Sequence, residues 1–282
     1  MSNLSNGLAK SHGAGMENIC AEARIINNTG SPEARTFSVP LDAVTWTGGF
    51  WGERYDKPHT VTVRRLWEAL ADPDRGHVLD NFRIAAGYKQ GEHQGKNWQD
   101  AWLYKWIEAA SCLFRTTGDT WLASRLDESI PLIAAAQEDD GYIATQVTIP
   151  GRDRFETPKI HEVYCMGHLL TAAITHRRMT GKDSFFEIAV RCADYLHSVL
   201  GVTVDPAFAH NPSAIMGLVE LYRDTGEQKY LDCAKEIVDM RGHNPSQEAG
   251  DTGKRMLGSD QIQDRVPLRE ETEVVGHNVF FT

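Results

Sequence analysis

The sequence predicts an all-α fold, a closed toroid of helical hairpins or α/α barrel, and three observations carry that expectation. Apolar residues recur at helical spacing through most of the chain after residue 59. Three of these segments end on the same Thr-Gly-polar stop, Thr117-Gly118-Asp119, Thr180-Gly181-Lys182 and Thr225-Gly226-Glu227, each followed by an aromatic residue opening the next segment: Trp121, Phe185 or Phe186, and Tyr230. The three glycines are 63 and 45 residues apart. So irregular a spacing excludes a fixed-period array and fits hairpins joined by variable loops, with the loops of one rim elaborated for function.

In chain order, residues 1–36 are rich in Ser, Asn and Gly without periodicity and read as a mobile tail, so the domain is expected over 37–282. Val39, Leu41, Val44, Trp46, Phe50 and Trp51 around Gly48-Gly49 predict a short strand or clamp laid on the domain, its tryptophans used for packing. A helix over His59 to Leu70 ends at Asp72-Pro73-Asp74 and gives way to a long polar loop with helix fragments. Leu103, Trp106, Ile107, Ala110, Leu113 and Phe114 mark the next helix, and Leu122, Leu126, Ile130 and Ile133 its return. Leu169 to Thr180 pairs with Phe185, Ile188, Ala189, Cys192, Leu196 and Val199; Ile215 to Tyr222 pairs with Leu231, Ala234, Ile237 and Val238. Leu103, Leu113, Leu169, Ile188, Val219 and Ile237 are expected in one core.

A chain of 282 residues with 41% apolar composition can bury a large single core. Its 29 basic and 39 acidic residues, net charge −10, disfavour a nucleic-acid partner. Five scattered cysteines form neither a disulfide framework nor a CxxC pattern, which fits a reducing compartment. With no apolar run of signal-peptide or membrane-span length, the expected location is cytoplasmic, away from membranes. Oligomeric state is not set by these features.

Polar clusters gather where helices start: Asp80-Asn81-Phe82-Arg83, Trp98-Gln99-Asp100, Asp139-Asp140-Gly141-Tyr142, His161-Glu162, His210-Asn211 and Gly276-His277. Asp80, Asn81 and Arg83 combine acceptor, amide and cation, a set suited to a polyhydroxylated ligand or to an ion pair bracing a loop. His161, Tyr164, Cys165 and His168 fall at i, i+3, i+4 and i+7 and share one helix face. His161 faces the presumed cavity, whereas His168 also reads as a core histidine and Cys165 as a buried thiol without enough neighbours for a metal. Asp139, Asp140 and Glu162 are the carboxylates available for acid/base work, although Asp140-Gly-Tyr142 also reads as a turn presenting its tyrosine. Asn211 and Ser213 double as helix caps. One cavity is expected to collect Asp80, Asn81, Arg83, Asp140, Tyr142, His161, His210 and His277.

The segments LDNFRIAAG, LYKWIEAAS, AAQEDDGYIAT, HEVYCMGHLLTAAITH with its TGK stop, GLVELYRDTGEQKYLDCA and REETEVVGHNV, in that order, resemble glycoside hydrolase family 127, the β-L-arabinofuranosidase-like enzymes. The resemblance implies an (α/α)6 barrel that binds carbohydrate and removes terminal sugars such as β-L-arabinofuranosides, with His161 bonding sugar hydroxyls. It also implies zinc, a zinc-bound cysteine nucleophile and glutamates as acid/base and metal ligand. Those residues are expected beyond the position of Thr282, so no catalytic or metal residue is assigned to this chain. With Val274, Val275, Val279, Phe280 and Phe281 opening an apolar helix, an N-terminal portion of the barrel, inactive alone, is expected. A sugar isomerase or epimerase on the same barrel, using paired histidines, and a non-catalytic helical scaffold are the alternatives.

Overall fold

The computed structural model describes residues 23–200, 208, 211–240, 268–270 and 272. The described residues are helical, with no strand among them, and no described helix is long and apolar enough to cross a membrane. Helix α1 (Gly49–Lys57) runs through a π-helical turn, Pro58–Thr62, into α2 (Val63–Ala71). Then come α3 (Val78–Ala85), α4 (Asp100–Thr117), α5 (Thr120–Ala136), the single turn α6 (Thr145–Thr148), α7 (Glu162–Thr180), α8 (Ser184–Val199), α9 (Ser213–Thr225) and α10 (Gln228–Met240).

These helices form four successive hairpins, α2/α3, α4/α5, α7/α8 and α9/α10. Their first members pack side by side as one layer, α2–α4–α7–α9, and their second members form the other, α3–α5–α8–α10. This is the helical-hairpin architecture expected of an α/α barrel. The core between the layers is continuous, and the six predicted core residues all belong to it, Leu113 and Val219 being partly exposed at its edge. Helix α7 is the central member. Apolar residues on nearly every side of it, from Val163 to Met179, are buried because α4, α8 and α9 each cover a face.

Each hairpin stop repeats in bonding as well as in sequence. Gly118, Gly181 and Gly226 take the left-handed conformation, φ 67°, 73° and 74°, that glycine adopts without a Cβ penalty. The preceding threonine hydroxyl donates to the carbonyl four residues back, Thr117 to Leu113, Thr180 to His176 and Thr225 to Leu221, at 2.6, 2.7 and 2.8 Å. It then accepts from the amide two residues on. Behind each stop the aromatic of the returning helix enters the core; Phe185 and Tyr230 are fully buried.

The contact of α7 with α9 is close because both helices lack a side chain where they cross. A Cβ on Gly167 would stand 2.4 Å from the Ala214 amide nitrogen, and one on Gly217 would stand 2.5 Å from the Leu170 Cβ. Arg178, buried on α7, bridges to Glu220 at 2.7 Å and to Asp224 at 2.5 Å on α9.

Two N-terminal expectations differ from the structure. The sequence reads residues 1–36 as a mobile tail; residues 1–22 lie outside the described residues, but from 23 onward the chain is held, since Ala23 is buried and Arg178 donates to the Ile25 carbonyl at 2.8 Å. The Asn27 amide donates to Glu220, and Asp42 pairs with Arg115 on α4. The order comes from buried charge on α7 and α9, which a local reading of a Ser/Asn/Gly-rich segment does not see. The stretch around Gly48-Gly49 is a 3-10 turn (Leu41–Ala43) and α1 rather than a strand, and Trp46 and Trp51 lie tilted to each other on the surface, ring centroids 6.1 Å apart and 50% and 62% exposed, instead of packing into the core.

Candidate active site

The site is built around the start of α7. A 3-10 turn, Pro158–Ile160, delivers the chain to His161, which is left-handed (φ 61°, ψ 32°) and immediately precedes the helix. From there the predicted face appears: His161, Tyr164 and His168 follow one another along α7, with ring centroids 5.7 Å (161 to 164) and 4.6 Å (164 to 168) apart, both pairs edge-on. Cys165 points behind this face and is buried. Trp98, at the end of the long loop before α4, packs its ring 5.1 Å from His161. Lys105, one turn beyond the exposed Trp102 on α4, donates to the Tyr164 hydroxyl at 2.5 Å and lies 4.9 Å over its ring. Trp102 and Lys105 also edge an apolar groove of about 560 Å³ between α2 and α4, lined by Leu66, Leu70, Trp106 and Leu113. Two imidazoles, a phenol, an ammonium and one indole, that of Trp98, thus share one face, a combination of stacking surfaces and hydrogen-bonding groups that suits a sugar ring.

Electrostatics keep this face nearly uncharged apart from Lys105. Burial lowers the pKa of His161, against a smaller opposing effect of its bond to the Lys159 carbonyl. Burial, reinforced by Lys105, pushes His168 down to about 3. Lys105 is itself lowered by burial. Both imidazoles are therefore neutral at ordinary pH.

The other predicted residues have defined partners. Asp80 accepts from Arg83 at 2.8 Å and Lys89 at 2.5 Å, and those cations hold its carboxyl below the usual range, Lys89 having the larger effect. The Asn81 amide is buried and makes a two-bond clamp with the backbone of Gln94, 2.9 and 3.1 Å. This triplet braces the loop leading to Trp98, the second of its two readings. Of Trp98-Gln99-Asp100, only the tryptophan reaches His161. Gln99 donates to the Gly76 carbonyl, and buried Asp100 accepts from the amide and hydroxyl of Thr145 at the start of α6.

Asp140 accepts from Arg154 at 2.5 Å, and its turn requires Gly141, at φ 94° with the Arg191 carbonyl pressed against the place of a Cβ. Tyr142 is fully buried, covered by the Arg154 guanidinium 4.0 Å above its ring, and its hydroxyl donates to Glu162 at 2.5 Å. Asp140, Tyr142 and Glu162 thus make a bonded layer behind His161, while Asp80, Asn81 and Arg83 stand apart on α3. His210 and His277 lie outside the described residues; Asn211 is buried and accepts from the Ser213 amide at the start of α9. Sequence reasoning does not single out Trp102, Lys105 or Arg154, and Trp98 enters it only within the Trp98-Gln99-Asp100 cluster, outside the set expected in the cavity. For Lys105 the available signal was its helical offset from Trp102; for Arg154 there was none, since its partners are distant in sequence.

The zinc that the resemblance implies finds no donor set among the described residues. No group of three His, Cys, Asp or Glu side chains among the described residues could hold a metal ion. Cys165, the thiol nearest the site, is kept protonated by burial, with Asp100 acting in the same direction.

Residues 43–280 match the family model of the β-L-arabinofuranosidase, GH127 catalytic domain. The chain belongs to the GH127 family. A non-reducing end β-L-arabinofuranosidase of Bifidobacterium longum subsp. longum is 31% identical over 271 residues, spanning 84% of this chain and 41% of that protein. The crystal structure of a GH127 β-L-arabinofuranosidase from Geobacillus stearothermophilus T6 superposes with a TM-score of 0.71 at 34% identity, over 81% of this chain and 38% of the other. A GH127 β-arabinofuranosidase structure gives 0.67 at 30% identity, over 79% and 35%. This GH127 chain spans about two fifths of the length of the curated relative it matches.

Proposed function

We propose that this GH127 chain takes part in glycoside hydrolysis by binding a terminal sugar, with β-L-arabinofuranosides as the substrate class, at the face formed by Trp98, Lys105, His161, Tyr164 and His168. The observation that carries the reading is the left-handed His161 at the head of α7, flanked by exposed aromatic and amide-rich loops, within a segment matched to the GH127 catalytic domain. A neutral imidazole accepts from one sugar hydroxyl while the lysine and tyrosine donate to others, and Trp98 offers an apolar face to ring C–H groups. The described residues are assigned to binding. No nucleophile, acid/base residue or zinc ligand is assigned among them. The four described cysteines are free thiols, which supports a reducing, intracellular setting.

The test is calorimetric titration of the chain with L-arabinose and methyl β-L-arabinofuranoside, alongside a chromogenic β-L-arabinofuranoside assay. Saturable binding that weakens at least tenfold in His161→Ala and Trp98→Ala is expected. Binding unchanged by both substitutions would remove the site from this face. Conversion of free sugar without hydrolysis would point instead to an isomerase.

A further inference from the structure

We propose that Glu162 and Tyr142 are positioning residues: their buried hydrogen bonds hold the 155–161 loop so that His161 keeps one imidazole tautomer, protonated at Nδ1. The inference deepens the sugar-binding reading of His161 but is tested without sugar.

Glu162 is the first residue of α7, where a carboxylate would ordinarily face the helix's own unpaired amides. Here it turns away from them. Its Oε2 accepts from the Phe155 amide at 2.9 Å and its Oε1 from the same amide at 3.1 Å, while Oε1 also accepts from the Tyr142 hydroxyl at 2.5 Å. Glu162 and Tyr142 are both fully buried. The carboxylate therefore ties the beginning of the loop to its end.

The loop between those points needs holding. Phe155 and His161 are both non-glycine residues at positive φ, 55° and 61°, conformations that persist only where surrounding contacts determine them. Gln146 adds a bond to the Ile160 carbonyl, and Asn97 one to the Lys159 carbonyl. Within that frame the Lys159 carbonyl lies 2.7 Å from His161 Nδ1. A carbonyl only accepts, so Nδ1 carries the proton and Nε2 of the neutral ring is the acceptor. Arg154 completes the brace by pairing with Asp140 and Glu138 across the face of Tyr142. The carboxylate thus acts on the ligand through the tautomer of its neighbour in sequence.

The experiment is long-range proton–nitrogen NMR on the full chain labelled with ¹⁵N-histidine, with His161 assigned by its loss in His161→Gln. In the unsubstituted protein, His161 is expected to show a protonated Nδ1 and an unprotonated Nε2. Glu162→Ala should replace this pattern by the averaged signals of mixed tautomers, while the buried His176 signals stay in place and report an intact core. Glu162→Gln keeps an acceptor oxygen for the Phe155 amide and should stay near the original pattern. Should Glu162→Ala fail to fold, Tyr142→Phe, which removes one bond of the brace, is expected to shift His161 part of the way. A His161 pattern unchanged in folded Glu162→Ala, or in Tyr142→Phe if that variant decides, overturns the proposal. Added L-arabinose that leaves His161 unmoved in the unsubstituted protein would sink the sugar reading and leave the brace standing.

Discussion

His176 lies one turn before the end of α7, fully buried, with neither ring nitrogen hydrogen-bonded among the described residues and the Phe185 ring edge-on to it, centroids 6.1 Å apart. Burial, aided by Lys182, pushes its pKa down to about 4. The unfolded chain takes up this proton near the ordinary histidine value, so the unfolded state binds more protons between the two values. Stability is fully present above about pH 6.5 and is lost as pH falls toward about 4, by at most about 3 kcal/mol for this group. His93, at about 4, and His168, at about 3, act in the same sense. Urea unfolding between pH 7.5 and 4.5 should show the decline, and His176→Leu should flatten part of it; equal declines in both proteins would contradict this account. The same logic of burial separates Tyr142 from Tyr164: one is fully enclosed and bonded to Glu162, the other shares the open face with His161.

Among elements, the three Thr-Gly stops are equivalent in φ and in bonding, so they should respond alike to substitution. Gly118→Ala, Gly181→Ala and Gly226→Ala are each expected to cost about 1 kcal/mol, the usual penalty for a Cβ in the left-handed region, measured by denaturant midpoint at constant slope. A spread of several kcal/mol among them would show that the stops are not repeats of one device. Gly167 is a different case. Its added Cβ meets backbone of α9, which cannot rotate away, and Gly167→Ala should cost about 1–3 kcal/mol by forcing α7 and α9 apart. Because α7 carries His161, that variant should also weaken ligand binding, whereas Gly226→Ala, at the far end of α9, should not.

At the scale of the molecule, the N-terminal segment and the first helix layer are tied together by charge. Arg178 neutralises Glu220 and Asp224 and holds the Ile25 carbonyl, all in a buried setting. Arg178→Met would leave the largely covered Asp224 without its cation and Glu220 with Arg223 alone, a loss of about 3 kcal/mol. The variant should release residues 23–28, seen as new proteolytic cleavage N-terminal to α1. Unaltered cleavage would mean that the segment is held by other contacts. The pairing also explains why four hairpins stay in register: α7 and α9 are joined at mid-helix by glycine contact and near their ends by this network.

What the sequence by itself determined was the local and periodic part: helix extents, the three stops, the core residues, and a polar face at the head of α7. These follow from side-chain spacing and from the chemistry of Thr, Gly and aromatic residues within a few positions of one another, and so are readable without neighbours in space. Family membership was legible for the same reason, since its motifs are the helix starts and stops. Only the tertiary structure decided which polar residues face outward. Tyr142 and Asn81 look as available in sequence as His161, but Glu162 and the Gln94 backbone occupy them, and those partners lie 20 and 13 residues away. Trp98 and Lys105 join the site only because α4 packs against α7, and residues 23–36 lie on the domain only because Arg178 and Glu220 meet across two helices. Contacts of that range depend on how the layers pack, and packing energy is a property of pairs of surfaces that no single stretch of the chain contains.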